Sequence, residues 1–114
     1  MREPIRDSER LQHILDACNL LIQRQSQDSI QNLKDDPLTF YGYVKLNEII
    51  GEATYKLTTE FKISHAEIPW NVMESMRHVL VHYYYRISPD KLWNTVVFDI
   101  PTLKPKIEKI IGTL

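Results

Sequence analysis

Residues 77 to 84 read RHVLVHYY, which sets Arg77, His78, His82 and Tyr84 close together in an otherwise apolar stretch. A histidine takes or gives a proton near neutral pH. An arginine stays charged and forks onto phosphate oxygens. The pair suffices, without a metal, to cleave RNA. The imidazole would help deprotonate the ribose 2′-hydroxyl or protonate the leaving 5′-oxygen. The guanidinium would stabilise the charge that builds on phosphorus.

The same residues admit plainer roles. His78 and His82 are four apart, which is zinc-ligand spacing, but two histidines are too few ligands and no HExxH glutamate accompanies them. Glu74, three residues before Arg77, offers an ion pair within one helix. The run Tyr83, Tyr84 and Tyr85 also suits amphipathic packing with wet hydroxyls.

These residues fall on an amphipathic helix expected to begin near Pro69 or Asn71. Its apolar stripe would be Val72, Met73, Met76, Val79, Leu80 and Tyr83. With ~100° per residue, Arg77 and Tyr84 share one shoulder of that stripe and the two histidines share the other. Arg77 and His82 are then ~140° apart and do not converge on one small ligand. Either the helix ends or distorts near His82, or a second copy packs against the first so that Arg77 and His82 of two chains line one groove.

The elements around this helix are helical too. Leu11, Ile14, Leu15, Cys18, Leu21 and Ile22 form one stripe, with Asp7 or Ser8 as its cap. SIQNLK suits one or two turns. Asp36 and Pro37 start a helix running to about Thr58, with Leu38, Tyr41, Leu46, Ile49, Ile50, Ala53 and Leu57 facing in. Gly42 and Gly51 lie within it, and a helical glycine often permits close approach of another backbone. Residues 59 to 69 are expected to be the longest irregular connection. Ser88-Pro89-Asp90 starts another helix, with Leu92, Trp93, Val96 and Val97 inward. A last helix, from about Thr102 with Pro101 in the turn, carries Leu103, Ile107, Ile110 and Ile111. The fold class is all-α, an up-and-down bundle of four to five helices in a single domain spanning residues 1 to 114.

Composition bounds the rest. Fourteen basic and 15 acidic residues give a net charge of −1, which argues against electrostatic binding of nucleic acid by the whole surface but allows a local basic site. The only cysteine, Cys18, sits in a core stripe and permits no internal disulfide, as in a reducing compartment. No signal peptide opens the chain and no apolar run reaches the ~20 residues of a membrane span, so a cytoplasmic location is expected. A chain of 114 residues gains from a dimer interface.

RHVLVHYY fits an R-x4-H-x-Y pattern through Arg77, His82 and Tyr84. In this the chain resembles the HepT-like toxins of the HEPN superfamily (higher eukaryotes and prokaryotes nucleotide-binding). RLQHILDA at 10 to 17, IIGEA at 49 to 53, IPW at 68 to 70 and LWNTVVFDIPTLKPKIEKI at 92 to 110 are similar to further parts of that family, in order. The resemblance implies a helical homodimer with the R-x4-H motifs at its interface. It implies a metal-independent endoribonuclease acting as a toxin, with no cofactor, and RNA as substrate. It also implies an antitoxin partner, a nucleotidyltransferase of the MNT type, that adenylylates the motif tyrosine. Carried over, Arg77 and His82 are catalytic and Tyr84 is the modification site. His78 stands where relatives often have asparagine. With Glu52 of IIGEA it would support the site, although Glu52 also suits a purely structural contact. The alternative is a non-catalytic helical binding partner of a minimal nucleotidyltransferase, and a purely structural helical protein stands third.

Overall fold

Leu11, Ile14, Cys18 and Leu21 recur at steps of three and four and are completely buried on the first helix, α1 (Asp7–Gln25). The computed structural model describes residues 6–114 and contains helices but no strand among them. The expected cap does not form. Arg6 holds the N-cap position without a side-chain bond, and the carboxylate of Asp7 instead accepts from the Thr58 backbone N–H (3.0 Å) and hydroxyl (2.7 Å). Asp7 thus ties the start of α1 to a turn 51 residues away.

Ser29 and Asn32 form a capping box at α2 (Ile30–Asp35). Asp36 accepts from the Leu38 N–H, and Pro37 takes the first turn of α3 (Pro37–Lys56), as the sequence indicates. The buried arc of α3 differs from expectation at its start. Leu38 is 82% exposed and Tyr41 is also outside, while Tyr43, Val44, Asn47, Ile50, Ala53 and Thr54 are buried. The reason is that α3 lies between α1 and a later helix and must bury two sides. Its two buried polar groups stay satisfied by carbonyls one turn back: Asn47 donates to Tyr43 O (2.9 Å) and Thr54 to Ile50 O (2.8 Å).

The stretch 59 to 69 is not wholly irregular. Thr58 accepts from the Phe61 N–H and caps a short helix, α4 (Thr59–Ser64). The fifth helix, α5 (Trp70–His82), follows, and its Trp70 indole donates to His65 O (2.9 Å). After a 3-10 turn at Tyr84–Arg86 comes α6 (Pro89–Asn94), with Pro89 in its first turn and Ser88 as its cap.

No turn at Pro101 separates α6 from the last helix. A π-helical turn at Thr95–Asp99 leads straight into α7 (Ile100–Gly112), so both prolines lie within one continuous rod. The π turn accommodates them. The Ile100 N–H reaches back five residues to Thr95 O, which widens the ladder just where the Pro101 ring would strike a preceding carbonyl. Pro105 lacks the N–H that would have met the carbonyl of Pro101. α1, α3 and α7 share the main core, where burying each large aliphatic side chain contributes roughly 1.5–3 kcal/mol.

Candidate active site on the fifth helix

α5 is rotated relative to the expected stripe. Trp70 and Leu80 are buried, Met73 and Arg77 meet α3, and Val72 and Val79 stand exposed. The inner arc therefore centres nearer Arg77 than the hydrophobic pattern suggests. The outer arc carries Val72, Val79, His78 and His82.

Gly51 makes the Arg77 position possible. A Cβ there would lie 3.0 Å from the Arg77 Cβ and 3.3 Å from the Met73 carbonyl oxygen. With the backbones this close, the next residue, Glu52, accepts a hydrogen bond from the Arg77 Nε as an ion pair. The Tyr55 ring lies under the guanidinium, 4.3 Å from centroid to Cζ. Lys56 adds a second cation to Glu52 at 3.3 Å. The bond from Arg77, helped by Lys56, holds the Glu52 carboxyl below the usual carboxylate range, against the opposing effect of burial. Glu74 is not the partner of Arg77, because Lys62 of α4 takes it. α4, where the sequence predicts a loop, is what brings that lysine within reach.

The histidines pair with each other. The His78 and His82 rings lie against each other at a tilt, with centroids 4.8 Å apart, and Tyr83 lies 5.6 Å from His78. α5 ends at His82, since Tyr83 leaves helical geometry (φ −130°, ψ 33°). That ending does not carry His82 to Arg77: no hydrogen bond joins them, and each keeps separate neighbours. Among the described residues, no third histidine, cysteine or carboxylate joins the histidine pair as a metal-ligand set.

Tyr84 rests on Tyr41 of α3, with ring centroids 5.8 Å apart. Arg77 and Tyr84 therefore both lie along α3, on the shoulder that the helical wheel assigns them. Tyr41 and Tyr55 join the site with no motif to mark them. Both sit with Glu48 and Glu52 at steps of seven, four and three along α3, a polar and aromatic face that spacing alone could have revealed.

An apolar cleft of about 250 Å³ opens between α3, α5 and α7, lined by Ile50, Met73, Met76 and Leu103, but Arg77, His82 and Tyr84 do not line it. These three side chains thus lie outside that cleft. No described helix is long and apolar enough to cross a membrane.

Comparison with known proteins gives the family. Residues 14–110 match the profile of the ribonuclease HepT-like family. The chain belongs to that family. It is 35% identical over 101 residues to a protein named as a candidate RNase from Caldanaerobacter subterraneus subsp. tengcongensis, covering 89% of this chain and 90% of the relative. It is 37% identical over 100 residues to one named as a candidate ribonuclease HepT from Thermococcus cleftensis, covering 88% and 91%. A further relative named as a candidate RNase, from Methanocaldococcus jannaschii, is 29% identical over 98 residues, covering 86% and 90%. No solved structure matches the chain significantly.

Proposed function

We propose that the protein is an endoribonuclease toxin of a type II toxin–antitoxin system. It cleaves RNA without a metal and works as a homodimer, with Arg77 of one protomer and His82 of its partner lining each site. The observation that carries this reading is the way Arg77 is held. Glu52 takes its Nε and Tyr55 its face, and its two terminal amino groups have no hydrogen-bond partner among the described residues. A guanidinium fixed at its base and free at its fork suits a phosphate.

In the reaction, the ribose 2′-oxygen bonds to phosphorus as its proton passes to the His82 imidazole. The bond from phosphorus to the 5′-oxygen breaks, and that oxygen takes up a proton from solvent water, while the His82 imidazolium later returns its proton to solvent. Arg77 stabilises the charge on the phosphoryl oxygens. The products are a 2′,3′-cyclic phosphate and a 5′-hydroxyl. His78, whose ring lies 4.8 Å from that of His82, supports it from one turn away.

Silencing follows from Tyr84. A partner nucleotidyltransferase of the MNT type would join the Tyr84 phenolic oxygen to the α-phosphorus of ATP, with pyrophosphate leaving. The added anion would sit on the shoulder that Tyr84 shares with Arg77 and compete with RNA phosphate there.

Purified wild type, His82→Ala and Arg77→Ala are incubated with mixed RNA in EDTA, after intact mass shows Tyr84 unmodified. Wild type should cleave, and each variant should lose roughly a hundredfold or more. The net charge of −1 favours a second reading, a non-catalytic partner of the nucleotidyltransferase. A folded, unmodified wild type that cuts nothing but forms a tight complex with a nucleotidyltransferase would support that reading instead.

A further inference from the structure

Three consecutive tyrosines follow α5, and through the 3-10 turn at Tyr84–Arg86 the Tyr85 ring meets those of Tyr83 and Tyr84 at 60° and 86°. The result is a run of neighbouring rings that begins at the motif histidine. From His82 it passes to His78 (4.8 Å), Tyr83 (5.6 Å), Tyr85 (6.3 Å), Tyr84 (5.7 Å) and Tyr41 (5.8 Å). The Arg86 guanidinium lies 5.5 Å from the Tyr83 ring and 5.7 Å from the Tyr85 ring. Arg86 has no carboxylate partner among the described residues. Tyr85 is 63% exposed and Tyr83 is partly so.

The charge of this segment is unlike that of the chain. Between Glu74 and Asp90 there is no carboxylate, while Arg77, Arg86, His78 and His82 all fall there. Arg77 is paired with Glu52 on the α3 side, so Arg86 is the cation that stands beside the exposed tyrosine faces at the end of α5. Every nucleobase has a face that stacks on tyrosine or on a guanidinium plane, whatever its sequence. In a duplex those faces are already occupied by neighbouring bases. The combination selects unpaired nucleic acid.

We propose that Tyr83, Tyr85 and Arg86 form a base-stacking platform for single-stranded RNA. This rests on the RNA-cleaving reading and adds the substrate class. The run of rings starts at His82, so a strand whose scissile phosphate reaches His82 lays its adjoining unpaired bases on Tyr83 and Tyr85. Arg86 meets the next base face or phosphate.

The test is fluorescence anisotropy with a labelled, non-cleavable 2′-O-methyl oligonucleotide. It is offered as a single strand, as a preformed duplex, and as a strand with its bases removed, to wild type, Tyr85→Ala and Tyr85→Phe. Wild type should prefer the intact single strand to both other probes. Tyr85→Ala should weaken that probe alone, by about five- to 150-fold, and Tyr85→Phe should keep it, because the ring and not the hydroxyl is used. If Tyr85→Ala binds like wild type while both cleave RNA, the platform is refuted and the nuclease stands. If Tyr85→Ala loses binding because sedimentation shows its dimer dissociated, the surface is an interface between copies and the proposal fails. If wild type neither binds the probe nor cleaves RNA, the underlying reading fails and the platform with it.

Discussion

Gly51 and Arg77 are in backbone contact: a side chain at Gly51 would begin 3.0 Å from the Arg77 Cβ and 3.3 Å from its Cα. Nothing flexible can give way there, because both atoms belong to the rigid stem of α5. The contact sets how far Arg77 stands from Glu52 and Tyr55, and so fixes the guanidinium.

Gly51→Ala is therefore expected to destabilise. Alanine gains about 1 kcal/mol of helix propensity, but overpacking at a closed contact costs about 1–3 kcal/mol and pushes α5 away. Gly42 lies in the same helix, and a Cβ added there would meet nothing within 4 Å. Gly42→Ala thus gains propensity alone and stabilises by about 0.5–1 kcal/mol. Urea unfolding of the two variants checks this. Shifts of the same sign would show that Gly51 does not govern the approach of α5.

Glu52 links this contact to pH. Its folded pKa is lowered, first by the bond from Arg77, so its contribution is present above the ordinary value of 4.5 and is lost as pH falls through the folded value. Wild type should lose stability below about pH 4.5, and Glu52→Gln should lose less over the same range. At neutral pH the glutamine variant should also cleave roughly ten- to a hundredfold more slowly, as the guanidinium loses its anchor. Parallel thermal melts from about pH 7 to 3 and cleavage rates at neutral pH measure both effects. Superimposable pH profiles would remove Glu52 from this role.

Much of this was legible in the sequence, and the misses share a physical cause. The α1 stripe, the Asp36-Pro37 and Ser88-Pro89 starts and the all-α class depend on local chemistry, which spacing reports. The rotation of α5 does not. Val72 and Val79 look like core residues, but α3 claims the Arg77 side of the helix through Gly51 and Glu52, leaving the valines outside. Glu74 pairs with Lys62 for a similar reason, since a short helix unseen in the pattern supplies a tertiary partner. The π turn before Pro101 has no sequence period at all. R-x4-H-x-Y singles out Arg77, His82 and Tyr84, but only the fold shows that Arg77 faces α3 while His82 lies against His78.

Cys18 should behave as a core side chain. Burial pushes its thiol up to about 12, with Lys104 slightly opposing. The unfolded chain ionises first, so stability should fall as pH rises past the ordinary value of 9.0. At about pH 8 a thiol reagent should label the native protein only as fast as the core opens, and at once in denaturant. Rapid native labelling would mean that α1 is loosely packed.

Tyr43→Phe separates stability from chemistry. The Tyr43 hydroxyl donates to Asp28 (2.7 Å), and Arg24 also pairs with Asp28 (3.5 Å), joining α3 to the end of α1. Phenylalanine keeps the edge contact with Trp93 and loses only that bond to a charged acceptor, at a cost of about 1–2 kcal/mol. Cleavage per folded molecule should not change, because the neighbours of this pair are Arg24 and Trp93 rather than Arg77, His82 or Tyr84. A matched loss of activity would connect this corner to the site.

The arrangement across two chains has its own test. Arg77 is held by Glu52 of α3 and His82 lies against His78, with no hydrogen bond between the two, and the proposed site takes one of them from each chain. Arg77→Ala and His82→Ala proteins are each expected to be inactive alone. Mixed, unfolded and refolded together, they form some heterodimers. In these, the His82→Ala chain supplies Arg77 and the Arg77→Ala chain supplies His82, so one of the two sites is whole. Partial activity should therefore return on mixing, and rise with the heterodimer fraction measured by native mass spectrometry. A site built within one chain predicts no recovery, since every chain in the mixture lacks one of the two groups. Heterodimers that form in quantity and stay inactive would place Arg77 and His82 in the same protomer's site, and would require α5 to rearrange when RNA binds.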